Sequence, residues 1–260
     1  RGASGTKIAV KPGAHLTISG ITMEGASISS PYSMIEVKNG EILLDNKCHL
    51  KHFIKTNDMG GAIFIDQGGK AVFDDIIIEY CSAPNYGGAV FARDSEVTIK
   101  SGIYRYNKTT STKYQYGGGC LYNACSQYYI YGGQFIGNTS VGCGGCIYNI
   151  EEEGSNLYLY GGYFEGNVCK YKGYEGSGAI FYAAYDPARP GLGNLVTTLD
   201  LSGNVKFCGN GVEGSGVDGV YLEINTKKNT ARKIQISNTL GYPVTLYLKA
   251  EENFVIAEGV

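Results

Sequence analysis

Gly60-Gly61-Ala62-Ile63-Phe64 returns as Gly87-Gly88-Ala89-Val90-Phe91, Gly118-Gly119-Cys120-Leu121-Tyr122, Gly144-Gly145-Cys146-Ile147-Tyr148 and Ser177-Gly178-Ala179-Ile180-Phe181. Three small residues, an aliphatic and an aromatic thus recur, with starts 27, 31, 26 and 33 residues apart. A period of that size marks repeat architectures, in which one unit cannot bury its apolar side alone and must stack on its neighbours. The reading is a solenoid: one domain over 1–260 that lengthens along an axis without dividing its core.

Each unit carries a second signature. Phe135-Ile136-Gly137-Asn138, Phe164-Glu165-Gly166-Asn167, Phe207-Cys208-Gly209-Asn210 and the looser Tyr104-Arg105-Tyr106-Asn107 align when the units are superposed. Tyr104, Phe135, Phe164 and Phe207 then form one column, and Asn107, Asn138, Asn167 and Asn210 form another. Stacked asparagines can donate and accept amide bonds along the axis, which satisfies polar groups that would otherwise be buried unpaired. In the preceding unit the position is Cys81, where such a ladder must stop.

Composition agrees with strands and turns. The chain has 39 glycines, 22 tyrosines and 3 methionines, and no stretch reads as a long amphipathic helix. Short alternating segments lie between the two signatures: Val97-Thr98-Ile99, Tyr129-Ile130-Tyr131, Tyr158-Leu159-Tyr160 and Leu199-Asp200-Leu201. Residues 1–59 form atypical N-terminal coils, with strands at Ile8–Val10, Leu16–Ile18, Met34–Val37 and Ile42–Leu44 but no glycine phrase, as a capping end requires. Residues 60–214 are the regular repeats, and 215–260 a last coil with closing strands around Gly241-Tyr242-Pro243. The loops Lys108–Tyr116, Cys169–Glu175 and Asp186–Asn194 are the places where the coils differ in length. Phe64, Phe91, Tyr122, Tyr148 and Phe181 have two possible places, in the core or on the outer face.

The paired Gly-Gly-Ala-Ile and Phe-x-x-Asn repeats resemble those of polymorphic outer-membrane-protein-like surface proteins. The phrase Val10-Lys11-Pro12-Gly13-Ala14-His15-Leu16-Thr17-Ile18-Ser19-Gly20 is similar to the β-helix regions of large cell-surface proteins of gut bacteria. This resemblance covers Lys7 to about Leu222. It implies an all-β, right-handed parallel β-helix of the pectin-lyase-like superfamily, with seven to eight coils and a short closing β segment. It also implies exposure on a cell surface and a role in adhesion.

Several functions find no support. A net charge of -2 supplies no basic surface for nucleic acid. No apolar run approaches the ~20 residues that cross a bilayer, and any signal peptide or anchor is expected outside these residues, Arg1 suggesting a fragment or a processed chain. The eight cysteines lack the spacing of a secreted disulfide framework. Cys120 and Cys146 replace the alanine of the repeat and read as small buried apolar groups. Cys143-x-x-Cys146 and Cys48-His49-x-x-His52 name too few ligands for zinc, and Glu151-Glu152-Glu153 reads as a solvated loop. No metal and no cofactor is expected.

Folds of this type often carry polysaccharide-cleaving enzymes, and a glycosidase needs two carboxylates about 5–10 Å apart across one groove. Alternation sends Asp74 and Asp75 to opposite faces, and no column of stacked aspartates suggests a calcium-dependent lyase. The sequons at Asn107 and Asn138 fall in the inward column, so neither is expected to carry a glycan. The surface feature that stands out is aromatic. With Ile130 and Leu159 inward, Tyr129, Tyr131, Tyr158 and Tyr160 face outward on successive coils, about 4.8 Å apart between coils and about 6.7 Å along each strand. Such a block suits sugar rings or a protein partner, and it also stabilises neighbouring strands whether or not anything binds. The expectation is a non-catalytic, extracellular module, secreted or on a cell surface, for adhesion or display towards a glycan, a surface protein or another copy of itself. A polysaccharide lyase or glycoside hydrolase, and a structural spacer or filament element, are the alternatives.

Overall fold

The computed structural model describes residues 8–27, 29–113, 116–150, 154–171, 178–183, 197–212, 219–224 and 232–250. The chain winds as an all-β parallel solenoid. Among the described residues, six coils run from Ile8 to Cys169 and a seventh is built from Ile180–Tyr182, Thr197–Cys208 and Gly211–Val212. Strands from successive coils stack into a nine-stranded, a thirteen-stranded and a seven-stranded parallel sheet. At the C-terminus, Arg232–Leu240 and Leu246–Ala250 each add a parallel rung, the first to Thr197–Cys208 and the second to Val220–Ile224.

The glycine phrase performs three tasks in order. Gly87 takes φ +58°, the left-handed conformation that opens the turn, and Gly88 sits so close to the next coil that a Cβ would lie 2.2 Å from the carbonyl oxygen of Gly119. Ala89 then fills a narrow place in the core, and Val90 begins the strand. Cys120 and Cys146 occupy the alanine place, fully buried, as the repeat requires. The inward residues Ile99, Ile130, Leu159 and Leu201 are buried in one column, with Tyr104, Phe135 and Phe164 in another. The rings of that second column stack: Tyr104 to Phe135 at 4.9 Å, Phe135 to Phe164 at 4.6 Å, Phe164 to Phe207 at 5.1 Å.

The asparagine column is a continuous ladder. The side-chain NH2 of Asn107 donates to Asn138 Oδ1 at 3.1 Å, Asn138 to Asn167 at 2.9 Å, and Asn167 to Asn210 at 2.7 Å. Each backbone N–H donates to the same oxygen, and each NH2 also reaches a backbone carbonyl of the preceding coil. At Cys81 only the backbone N–H donates, to Asn107 Oδ1 at 2.9 Å, so the amide ladder stops there. Asn107 and Asn138 have no exposed surface, which leaves no room for a glycan at either sequon. A second, shorter amide ladder lines another corner, where Asn123 donates to Asn149 Oδ1 at 2.6 Å.

Phe64, Phe91, Tyr122, Tyr148 and Phe181 point away from the core; the last four are nevertheless buried and Phe64 is half-buried. They stack with Tyr221 into a column outside the nine-stranded sheet, with centroids 5.0–5.5 Å apart. Met59, Tyr86, Cys143 and Tyr171 pack over them as a second apolar cluster. Cys143 therefore belongs to this outer cluster while Cys146 lies in the core, and the Cys-x-x-Cys thiols serve different layers.

Candidate functional site

Two aromatic groups stand out, one on the outer side of the thirteen-stranded sheet and one at the corner that follows it. The first is the tyrosine block. Tyr129 pairs in register with Tyr158, and their rings stack at 4.6 Å and 6°. Tyr131 and Tyr160 follow at 5.4 Å and 46°, and Tyr158 to Tyr160 measures 6.3 Å along the strand. The spacings match the alternation, but the outer row is tilted, so the four phenols do not make one flat wall. The inner rings give each other their faces and turn edges and hydroxyls outward. Tyr131, 54% exposed, is the ring most open to solvent.

Asp200 continues the Tyr129–Tyr158 column on the next coil. It is only 5% exposed, and its Oδ2 accepts a hydrogen bond from the Tyr160 hydroxyl at 3.4 Å. Its Oδ1 is buried without a hydrogen-bond partner. Burial, then the charge of Asp200 and this hydrogen bond, push the Tyr160 phenol up to about 12. Burial and Asp200 likewise raise Tyr158, and burial and Tyr158 raise Tyr129. All three are neutral donors at physiological pH. Beside them Asn156 donates to Gln127 Oε1 at 3.0 Å, which adds an amide pair to the same surface.

The second group was not foreseen. His52, Tyr80 and Tyr106 stack on the corner before the ladder position, His52 to Tyr80 at 5.3 Å and Tyr80 to Tyr106 at 5.2 Å, with interplanar angles of 21° and 24°. All three adopt left-handed backbone, at φ +58°, +55° and +55°. In the following coils the same place is held by Gly137, Gly166 and Gly209 at φ +59°, +59° and +61°. A left-handed residue with a side chain costs about 1–2 kcal/mol, against about 0.5–1.5 kcal/mol returned by each ring pair. The only trace of the stack in the sequence is the Tyr80-Cys81 and Tyr106-Asn107 pairing, where later coils read Gly-Asn.

Charged groups flank this stack. Glu79, nearly buried, accepts from Arg105 Nε at 2.6 Å and from His49 Nε2 at 2.9 Å, and Glu24 pairs with Lys51 at 3.3 Å and His52 at 3.2 Å. Burial alone would raise the Glu79 carboxyl, but the Arg105 and His49 hydrogen bonds outweigh it and hold the group below its ordinary value. The Arg105 guanidinium lies 5.9 Å from the Tyr106 ring centre. His49 and His52 are thus bound to carboxylates of neighbouring coils. Among the described residues no three His, Cys, Asp or Glu side chains converge as a metal site requires. Glu151, Glu152 and Glu153 lie outside the described residues, as do most of the Cys169–Glu175 loop and all of Asp186–Asn194.

The fold defines the chain as a parallel β-solenoid. Compared with known proteins, it matches no family model, no curated protein and no solved structure.

Proposed function

We propose that the chain is a non-catalytic, extracellular β-helix module of the cell-surface type, which attaches to a glycan through its tyrosine block. The observation that carries this reading is the exposed Tyr131 ring set beside the Tyr129–Tyr158 pair and the Tyr160–Asp200 hydrogen bond. A tilted, exposed ring offers an apolar face to a sugar, while neighbouring phenols supply donors and acceptors for hydroxyl groups. The buried carboxylate of Asp200 disfavours acidic sugars by like-charge repulsion, which argues against an anionic glycan. The resemblance of the paired repeats to those of adhesive surface proteins supports the cell-surface part of this reading.

The test is a glycan array probed with the parent and with Tyr131→Ala/Tyr158→Ala, each checked for melting temperature. Binding to neutral glycans by the parent, lost in a variant that still melts cooperatively, supports the site. Equal binding by both proteins removes the site, and absence of binding to any glycan removes the function.

A further inference from the structure

We propose that the stacked corner rings His52, Tyr80 and Tyr106 are a second saccharide-binding patch, for a neutral polymer lying along the solenoid axis. The fold itself has no use for side chains here. At Gly166 and Gly209, the same place two and three ladder positions further on from Asn107, a Cβ would meet nothing within 4 Å, and the left-handed backbone is free of strain. Left-handed residues with side chains recur at the corners of this solenoid, Asn39, Gln67 and Asp94 among them, but His52, Tyr80 and Tyr106 set aromatic rings, those of the two tyrosines exposed, where later coils hold glycine.

The geometry indicates what such rings can hold. Their centroids are 5.2–5.3 Å apart and their planes fan by just over 20° per step, so the rings are slid past one another. Each leaves part of a face uncovered, in a staircase that advances one coil per step. Tyr80 is 47% and Tyr106 44% exposed although the former has a ring on both sides. A chain of pyranose rings presents alternating C–H faces and hydroxyls to a row of this kind. The charged neighbours favour an uncharged ligand: Glu79 is engaged by Arg105 and His49, and Glu24 by Lys51 and His52. An acidic or basic polymer would have to displace those pairs. The ring of Tyr106 extends over Gly137, where a Cβ would come within 2.7 Å of it, which closes the staircase at that end.

This patch shares with the proposed function only the class of ligand, and its test separates the two. Parent, Tyr80→Asn/Tyr106→Asn and Tyr131→Ala are run by affinity electrophoresis through galactomannan, xyloglucan and mixed-linkage glucan, and melted in parallel. Asparagine tolerates left-handed backbone, so the double variant keeps the fold. Retardation of the parent by at least one polymer is expected, weakened about tenfold in the double variant, whose melting temperature stays within about 2 °C. Loss of retardation in Tyr131→Ala alone overturns the corner patch and leaves the tyrosine block standing. A clear fall in melting temperature of the double variant, with retardation unchanged, shows the rings to be structural and overturns the proposal. No retardation of the parent by any of the three polymers overturns it as well.

Discussion

Asn138→Ala tests the claim that the amide ladder, more than any single apolar contact, holds the coils in register. In the native chain Asn138 Oδ1 accepts from the backbone N–H of Asn107 at 3.0 Å and from its NH2 at 3.1 Å. Its own NH2 donates to the Tyr104 carbonyl at 2.9 Å and to Asn167 Oδ1 at 2.9 Å. Alanine takes away four hydrogen bonds, and the Asn107 N–H and one N–H of its amide lose their acceptor in a place without solvent. An orphaned buried donor costs about 1–3 kcal/mol and each lost net hydrogen bond about 1 kcal/mol, so the loss is about 3–5 kcal/mol. Urea unfolding followed by circular dichroism reads it as a lower midpoint, with Asn138→Asp as the companion variant. Aspartate keeps an oxygen for Asn107 but points another at the Tyr104 carbonyl and Asn167 Oδ1, so it is expected to be at least as damaging. A loss below about 1 kcal/mol for both variants would show that water or backbone rearrangement replaces the ladder, and the register argument would fail.

Two further outcomes follow from the same coordinates. Gly88→Ala is expected to abolish folding at 37 °C, because its Cβ would lie 2.2 Å from the Gly119 carbonyl oxygen and 2.4 Å from that of Lys108. Gly166→Ala, with open space around it and φ +59°, is expected to cost about 1 kcal/mol, and comparable effects of the two on soluble yield and melting temperature would contradict the close-approach argument. For Glu79 the folded carboxyl sits below its ordinary 4.5, so its contribution is complete above that pH and is lost as the pH falls through the lowered folded value. Glu79→Gln is therefore expected to be less stable than the parent at pH 7, with the gap narrowing below pH 4.5 in melts run across the acid range; a gap that does not change with pH would refute the ion-pair account.

The period and the ladder were legible because they are imposed on every coil alike. Asn107, Asn138, Asn167 and Asn210 must each meet the same neighbours, so the same letter recurs at the same place, and Cys81 marks the end by departing from it. The places of Phe64, Phe91, Tyr122, Tyr148 and Phe181 were not legible. The sequence left them either in the core or on the outer face, and the column that covers them, in register just before each glycine phrase, carries Met59, Tyr86, Gly117 and Cys143, too varied in chemistry to read as a cover. The corner rings escaped for a different reason. Tyr80 and Tyr106 gain their meaning from a backbone angle, and a single letter before the ladder residue does not disclose φ until the glycines of later coils are aligned with it.

In a solenoid, alignment by itself says little about binding. Once Asn138 and its neighbours fix the register, any outward residue that recurs on adjacent coils will stack, and Tyr129 on Tyr158 at 4.6 Å is what cross-strand packing alone would produce. More informative are groups that the register tolerates at a cost. Tyr80 and Tyr106 occupy left-handed backbone where glycine fits without strain, and Asp200 keeps a buried oxygen without a hydrogen-bond partner in the column that the tyrosines begin. Neither arrangement is explained by stacking. The rings follow the strands His49–Lys51, Ile76–Glu79 and Gly102–Arg105 at the corner, on coils two to four, whereas Asp200 lies on the seventh coil in the column of Thr98, Tyr129 and Tyr158, so the two belong to separate axial columns and each is tested by itself.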